Sequence, residues 1–127
     1  MLFRSTTNGP VRLAADPDDL ELVWSNLLEN AIRFSPKGET VCMSVRSTNG
    51  CGSVEVVDRG PGIPPSELPR IFERFHRADT SRARNTGGYG LGLAISKALV
   101  EAYGGTIEPH SSPGQGTRMT VLLPIQP

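Results

Sequence analysis

Two stretches of the chain carry apolar residues at the three- and four-residue spacing that indicates an amphipathic helix. The first follows Asp16, which we expect to cap the helix, and Pro17, which suits the first helical position. It should be about 18 residues long and end at the Ser-Pro-Lys-Gly run of residues 35–38. The second spans residues 91–103 and ends at Gly104 and Gly105. A shorter helix is expected at residues 66–74.

Alternation of apolar and polar residues predicts the strands. Residues 2–7 and 11–14 are expected to be short strands joined by a turn at Asn8 and Gly9. Two further pairs of strands are expected at residues 40–47 with 54–58, across a turn at 49–52, and at residues 106–109 with 117–123, across a turn at 113–116. This mixture predicts an α+β fold, a two-layer α/β sandwich in which the helices cover one face of a mixed, mostly antiparallel sheet.

Composition and charge narrow the possible functions. A length of 127 residues fits one domain. The 13 Lys and Arg residues balance the 13 Asp and Glu residues, which argues against nucleic acid or an anionic membrane as a main partner. No apolar run approaches the ~20 residues of a membrane span, and no signal peptide opens the chain. Cys42 and Cys51 lack the spacing of a metal site and are expected to be free thiols in a reducing cytoplasm, so we expect a cytoplasmic domain.

Candidate chemistry lies first on the long helix. Asn26, Asn30 and Arg33 are four and three residues apart and form a polar stripe. An Asn oxygen is a neutral hard ligand suited to Mg²⁺, and an Arg can neutralise phosphate oxygens. A solvated helix face would give the same pattern, so the stripe alone does not decide between the two.

Glycines form the second group of candidates, because ten of the 14 fall in four clusters that follow predicted helices or strands. Asp58 ends a strand before Gly60 and Gly62, and could accept a hydrogen bond from a purine amine while the glycines admit a flat ring, although an Asp that ends a strand before a turn is also common without any ligand. Residues 87–93 open the second long helix, where exposed amides suit phosphate, although a flexible hinge would have the same composition. Before them, residues 77–88 are polar and rich in Arg, and we expect a mobile loop there. Its Arg residues suit a loop that closes over a triphosphate, although a plain solvated face would have the same composition.

Together these segments resemble the catalytic domain of sensor histidine kinases, in the ATPase superfamily that also contains gyrase, heat-shock chaperones and a mismatch-repair ATPase. NLLENAIRF at residues 26–34 resembles the family's N box, and DRGPGI at 58–63 its G1 box. IFERFHR at 71–77 resembles the F box, GYGLGL at 88–93 the G2 box, and GQGT at 114–117 the glycine turn near the end. The resemblance covers nearly the whole chain, residues 1–127 being one ATP-binding domain.

The resemblance implies ATP and Mg²⁺ as cofactors and assigns roles to the matched positions. Asn30 would hold Mg²⁺ with Asn26 assisting, and Arg33 would bind phosphate, which makes these three the expected catalytic residues. Asp58 would accept from the adenine amine with support from Thr117. The other implied ATP contacts are Phe34 near the adenine; Gly60, Gly62, Ile63 and Phe72; Arg77 and Arg82 in a lid; and Gly88, Tyr89, Gly90, Leu91, Gly92 and Leu93 at the phosphate end.

The resemblance also implies that the phosphoacceptor histidine lies on a different domain from the ATP site. Neither His76 nor His110 is followed by the acidic residue that follows the family's phosphoacceptor histidine. We therefore expect the γ-phosphate to go to a histidine on a separate dimerisation domain, and from there to a response regulator. The implied parent is a homodimeric kinase anchored in the membrane, whereas this domain alone should be a monomer that binds no nucleic acid. Tyr89 departs from the small residue that relatives usually carry.

Other function classes make different demands on the sequence. Gyrase-type ATPases place a water-activating Glu four residues before the metal-binding Asn, and here that position is Asn26, which disfavours hydrolysis. Anti-sigma serine kinases lack the Phe72 and Phe75 motif. A nucleotide sensor without catalysis stays open and is testable by phosphotransfer.

Overall fold

The computed structural model describes residues 2–7, 12–36, 38–73 and 92–125. In chain order its helices and strands are β1 (Leu2–Thr7), α1 (Pro17–Phe34), β2 (Thr40–Thr48), β3 (Cys51–Asp58), α2 (Gly92–Ala102), β4 (Thr106–Ser111) and β5 (Thr117–Pro124). A short 3-10 turn, Leu68–Arg70, follows β3.

The five strands form one sheet in the order β1-β2-β3-β5-β4. β1 pairs with β2 in parallel, and every other neighbouring pair is antiparallel. The predicted mixed, mostly antiparallel sheet is therefore confirmed. β2 and β3 are joined by Asn49 and Gly50, whose φ angles of 48° and 80° are those of a tight hairpin turn. Because this turn takes only two residues, β3 begins at Cys51, and the prediction that it starts at residue 54 is wrong.

The helix α1 has the predicted bounds because its start and stop signals are local. The carboxylate of Asp16 accepts a hydrogen bond from the amide of Asp18 at 2.8 Å, which satisfies one of the free amides of the first turn. Pro17 occupies the first helical position, where its missing N–H costs nothing. Ser35 follows the last helical residue in an extended conformation and ends the helix.

Both helices cover the same face of the sheet and enclose the core with it. Cross-strand pairs such as Val54 with Val121 and Val56 with Met119 supply the sheet side of the core. Burial of one such side chain contributes roughly 1.5–3 kcal/mol, so the helix faces that meet the sheet are fixed by packing. The helix side of the core is supplied by Val23, Leu27 and Ala31 of α1 and Leu93 and Val100 of α2.

The C-terminal end of α2 is fixed by glycines and by a link to α1. Gly104 has a φ of 80°, the left-handed conformation that commonly ends a helix. A Cβ at Gly105 would lie 2.2 Å from the carbonyl oxygen of Leu122, so only glycine allows α2 to approach β5 this closely. The hydroxyl of Tyr103 donates a hydrogen bond to the carboxylate of Asp19 in the first turn of α1. The helix was predicted to begin at residue 91, which lies outside the described residues.

Two further predictions about elements differ from the structure. Residues 12–14 do not form a strand: Leu13 makes an isolated bridge to Ile125, and the amide of Ala14 donates to the carbonyl of Pro124 at 3.0 Å. The helix predicted at residues 66–74 is reduced to the 3-10 turn, because Pro69 has no N–H and its ring is incompatible with an α-helix interior. The predicted turn at Asn8 and Gly9, and residue 74, lie outside the described residues.

Within the described part of the chain, neither helix combines the length and the apolar character needed to cross a membrane.

Candidate functional site

A pocket opens where α1 passes over the C-terminal end of β3. Its enclosed volume is about 30 Å³, room for about two water molecules, so the closed part can receive the edge of a ligand rather than the whole of one. The polar groups on its walls are the side chains of Asn30, Asp58 and Thr117. The full lining is Leu27, Asn30, Ala31, Val56, Asp58, Pro61, Gly62, Ile63, Thr117 and Met119. Five residues predicted to bind ATP are thus brought together: Asn30, Asp58, Gly62, Ile63 and Thr117.

Asp58 is the buried ionisable group of this pocket, with only 8% of its surface exposed. Burial raises the pKa of its carboxyl group, and hydrogen bonds from the amides of Gly60 and Thr117 oppose that rise. The amide of Gly60 donates to one carboxylate oxygen at 2.8 Å. A carboxylate has about four acceptor positions, so two backbone donors leave capacity to accept from a ligand.

Two glycine-rich segments meet behind Asp58: residues 59–63, which we name the G1 loop, and residues 113–116, which we name the glycine turn. The amide of Gly114 donates to the carbonyl of Pro61 at 2.7 Å. A Cβ at Gly62 would lie 2.2 Å from the carbonyl oxygen of Ser112, and a Cβ at Gly116 would lie 2.2 Å from that of Asp58. These glycines therefore serve backbone-to-backbone packing, in addition to any close approach of a ligand.

Ser111, the last residue of β4, joins the same two segments through its hydroxyl. It accepts from the amide of Ile63 at 2.7 Å and donates to the carbonyl of Gly116 at 2.9 Å. Its oxygen also lies 3.1 Å from the hydroxyl oxygen of Thr117. Ser111 was not among the residues predicted from the sequence, because the Ser-Ser-Pro run of residues 111–113 has the composition of an ordinary turn.

The three residues of the α1 stripe lie in different surroundings. Asn30 lines the pocket, whereas Arg33 is exposed in the last turn of the helix. The amide nitrogen of Asn26 donates to the carbonyl of Gly92 at 3.1 Å and to the hydroxyl of Ser96 at 3.2 Å. Since a carbonyl can only accept, the atom facing Gly92 must be the nitrogen. Asn26 thus ties α1 to the first turn of α2.

The other predicted contacts lie outside this pocket or outside the described residues. Phe72 packs against the core, and the ammonium of Lys97 lies 5.2 Å from the centre of its ring. Leu93 is 1% exposed and belongs to the hydrophobic core, and Gly60 is buried beside Asp58. The predictions for Arg77, Arg82, Gly88, Tyr89, Gly90, Leu91 and the side chain of Phe34 concern positions outside the described residues.

The donor set of the pocket suits a magnesium ion that is held mainly by its substrate. No cluster of three or more His, Cys, Asp or Glu side chains suited to a metal occurs among the described residues. Mg²⁺ in phosphate-transfer sites keeps several waters and takes only one or two protein oxygens together with substrate phosphates. The carboxamide of Asn30 can supply one such oxygen, so the residues present fit the ion.

A wider groove of about 380 Å³ lies next to the pocket and is lined mainly by polar residues, among them Glu55, His110 and Arg118. Glu55 pairs with Arg118 across 3.7 Å. Along β3, Glu55 alternates with the core residues Val54 and Val56, which places the groove on the sheet face opposite the helices. Asp58 and Thr117 line both the groove and the pocket, whereas residues of the G1 loop line only the pocket. The charged side chains of the groove include both signs.

Comparison with known proteins identifies the family. A family model described as "Histidine kinase-, DNA gyrase B-, and HSP90-like ATPase" matches residues 15–127. The chain belongs to this ATPase family. Within this family, it is a catalytic ATP-binding domain of the bacterial sensor histidine kinase type, which confirms the prediction from the sequence motifs.

Individual relatives agree with this assignment. The chain is 42% identical over 121 residues to the sensor-like histidine kinase SenX3 of Mycobacterium tuberculosis, and the matched residues make up 95% of this chain and 30% of that protein. It is 41% identical over 126 residues to the sensor histidine kinase WalK of Bacillus subtilis, covering 98% of this chain and 21% of that protein. The chain thus corresponds to less than a third of either relative.

Solved structures confirm the fold. The mycobacterial sensor histidine kinase MprB matches with a TM-score of 0.85 and 33% identity, over 99% of this chain and 83% of that one. Full-length ShkA, solved in complex with AMPPNP, matches with a TM-score of 0.82 and 29% identity, over 98% of this chain and 25% of that one. The predicted α+β sandwich is therefore the fold of this ATPase domain.

Proposed function

We propose that the chain binds Mg-ATP in the pocket at the end of β3 and donates the γ-phosphate to a histidine on a separate dimerisation domain. The observation that carries this proposal is the buried carboxylate of Asp58 on the wall of a pocket bounded by the G1 loop, in a chain of the histidine kinase-type ATPase family. The complex of ShkA with AMPPNP supports a nucleotide as the ligand of this fold.

The walls of the pocket suggest how ATP is oriented. Asp58 accepts a hydrogen bond from the exocyclic amine of adenine, and Thr117 supports that contact from the adjacent strand. Apolar side chains such as Ile63 and Met119 exclude water from the base. Asn30, on the α1 wall, then faces the phosphate end and supplies an oxygen ligand to Mg²⁺. When bound, the ion neutralises the charge of the phosphates, which favours phosphoryl transfer.

Transfer to a protein histidine is favoured over hydrolysis by the surroundings of Asn26. A hydrolytic ATPase needs a basic group that activates water, and a carboxamide has no basic lone pair for that role. The nitrogen of Asn26 is moreover engaged with Gly92 and Ser96, so this side chain is part of the link between the helices. We expect the isolated chain to bind ATP and to release phosphate only slowly.

The remaining parts of the relay belong to the parent protein. The relatives SenX3 and WalK are sensor histidine kinases, and the chain covers 30% and 21% of their lengths. We infer that the parent is a homodimeric sensor kinase anchored in the membrane, that the phosphoacceptor histidine lies on its dimerisation domain, and that a response regulator receives the phosphate.

Phosphotransfer to a supplied acceptor tests this proposal. The chain is incubated with ATP labelled on the γ-phosphate and a sensor-kinase dimerisation domain, with an acceptor lacking its histidine as the blank. We expect label on the intact acceptor only. Asn30→Ala should abolish transfer, whereas Glu29→Gln, an exposed neighbour on the same helix, should not.

Two results would contradict the proposal. ATP binding without any transfer would indicate a nucleotide sensor. Rapid release of phosphate without an acceptor would indicate a hydrolytic ATPase.

A further inference from the structure

The hydroxyl of Ser111 uses every hydrogen-bonding position that a serine has. A hydroxyl donates once and accepts twice. Its one hydrogen goes to the carbonyl of Gly116, 2.9 Å away, because that carbonyl cannot donate. One lone pair accepts from the amide of Ile63 at 2.7 Å. The hydroxyl of Ser111 therefore has one lone pair left, with which it can only accept a hydrogen bond from its third neighbour, the hydroxyl of Thr117.

This arrangement determines the direction of the hydroxyl of Thr117. The two hydroxyl oxygens are 3.1 Å apart, and either could in principle be the donor. Since the hydrogen of Ser111 is already committed to Gly116, the hydrogen must come from Thr117. The oxygen of Thr117, which lines the pocket, then has only lone pairs to offer a ligand.

The pocket wall consequently carries two hydrogen-bond acceptors side by side. Asp58 and Thr117 are directly paired across β3 and β5, and both line the pocket. The carboxylate of Asp58 can only accept when ionised. Two neighbouring acceptors match an amino group, which has two hydrogens, and repel a carbonyl oxygen.

We propose that Ser111 is a specificity-determining positioning residue: by orienting the hydroxyl of Thr117 it makes the pocket select a nucleobase with an amino group over one with a carbonyl oxygen at the same position. The inference rests on the proposed ATP site. It adds to that site a residue that does not itself line the pocket, and a physical reason for discrimination between 6-amino and 6-oxo purines.

The test compares ATP with inosine triphosphate, which has an oxygen in place of the 6-amino group. Dissociation constants of both Mg-nucleotides are measured by titration calorimetry for the wild-type chain and its variants. Ser111→Ala frees the hydroxyl of Thr117 to rotate and donate to the 6-oxo group. The preference for ATP over inosine triphosphate should therefore shrink about three- to tenfold, the equivalent of one hydrogen bond.

Three variants separate this effect from a structural one. Ser111→Thr keeps a hydroxyl and should restore the preference. Ser112→Ala, its exposed neighbour, should retain the wild-type ratio. Thr117→Val removes the oxygen at nearly constant shape and should also narrow the preference, which keeps the inference testable if Ser111→Ala does not fold.

The ratio, rather than either affinity, decides the outcome. If Ser111→Ala or Thr117→Val weakens both nucleotides equally, Ser111 acts only on the fold of the loops and the inference is overturned, while the ATP site stands. If the wild-type chain does not bind ATP, the proposed function fails and the inference fails with it.

Discussion

The packing of the glycine turn against Asp58 predicts different results for two chemically identical substitutions. Gly114 and Gly116 lie in the same turn and have φ angles of 79° and 81°. A Cβ at Gly114 would have no atom within 4 Å, whereas a Cβ at Gly116 would lie 2.2 Å from the carbonyl oxygen of Asp58 and 3.0 Å from the Cα of Arg59. Gly114→Ala therefore measures only the cost of placing an alanine in the left-handed conformation. Gly116→Ala adds to that cost the steric clash of the new Cβ with the backbone of Asp58 and Arg59.

The magnitudes can be worked out separately. An alanine in the left-handed conformation costs about 1–2 kcal/mol, which applies to both variants. The atoms that Gly116→Ala would meet are all backbone, so they cannot rotate away, and forced displacement of a packed region typically costs about 1–3 kcal/mol more. We expect Gly114→Ala to lower the free energy of unfolding by about 1–2 kcal/mol and Gly116→Ala by about 2–5 kcal/mol.

Urea unfolding followed by the fluorescence of Trp24 measures these losses, because Trp24 is the single tryptophan and packs against the core. Displacing the backbone of Asp58 should also weaken ATP binding in Gly116→Ala, whereas Gly114→Ala should bind ATP as the wild type does. Equal losses of stability in the two variants, or equal ATP affinities, would refute the reasoning that this turn supports Asp58.

Four further predictions concern Asp58 and Asn26. Asp58→Asn removes a charged acceptor and should weaken ATP binding about 10- to 100-fold in titration calorimetry; an unaltered affinity would exclude Asp58 from the site. Burial raises the pKa of Asp58, so its protonation, and with it the loss of ATP affinity in titrations at decreasing pH, should begin at a higher pH than for an ordinary Asp. In the chain without ATP, the Asp58 carboxyl should affect the free energy of unfolding in the opposite direction. That free energy should rise as the pH falls through the pKa of Asp58 in the folded state, because the folded state takes up the proton at a higher pH than the unfolded state does. Asn26→Ala breaks both links to α2 and should cost about 1–3 kcal/mol in urea unfolding, whereas its exposed neighbour Ser25→Ala should cost little.

Elements whose signals are local could be predicted from the sequence. α1 has the predicted bounds because Asp16, Pro17 and the Ser-Pro run after Phe34 act on adjacent backbone groups. β3 begins earlier than predicted because Asn49 and Gly50 complete the turn alone, and the strand has Gly52 in it, which has no apolar side chain to indicate a strand. The 3-10 turn is shorter than predicted because Pro69 outweighs the surrounding helical pattern.

The candidate site was predicted to the extent that its residues belong to recognisable motifs. Asp58, Gly62, Ile63, Asn30 and Thr117 do, and the structure brings them to one pocket. The bonds that support them join residues far apart in the chain: Asn26 to Gly92 across 66 positions, and Ile63 to Ser111 across 48. No local pattern indicates such pairs, so the hydrogen bonds of Ser111 and Asn26 could not be predicted from the sequence.

Amide chemical shifts during titration with Mg²⁺ and a non-hydrolysable ATP analogue test the central claim most directly, because they locate the ligand. The largest changes should occur at the amides of Gly60, Gly62 and Ile63 in the G1 loop, and small ones at the exposed Arg46 on the open face of the sheet. Changes concentrated instead at Glu55, His110 and Arg118 would place the nucleotide in the opposite groove, and an unchanged spectrum at saturating analogue would mean that the chain does not bind ATP.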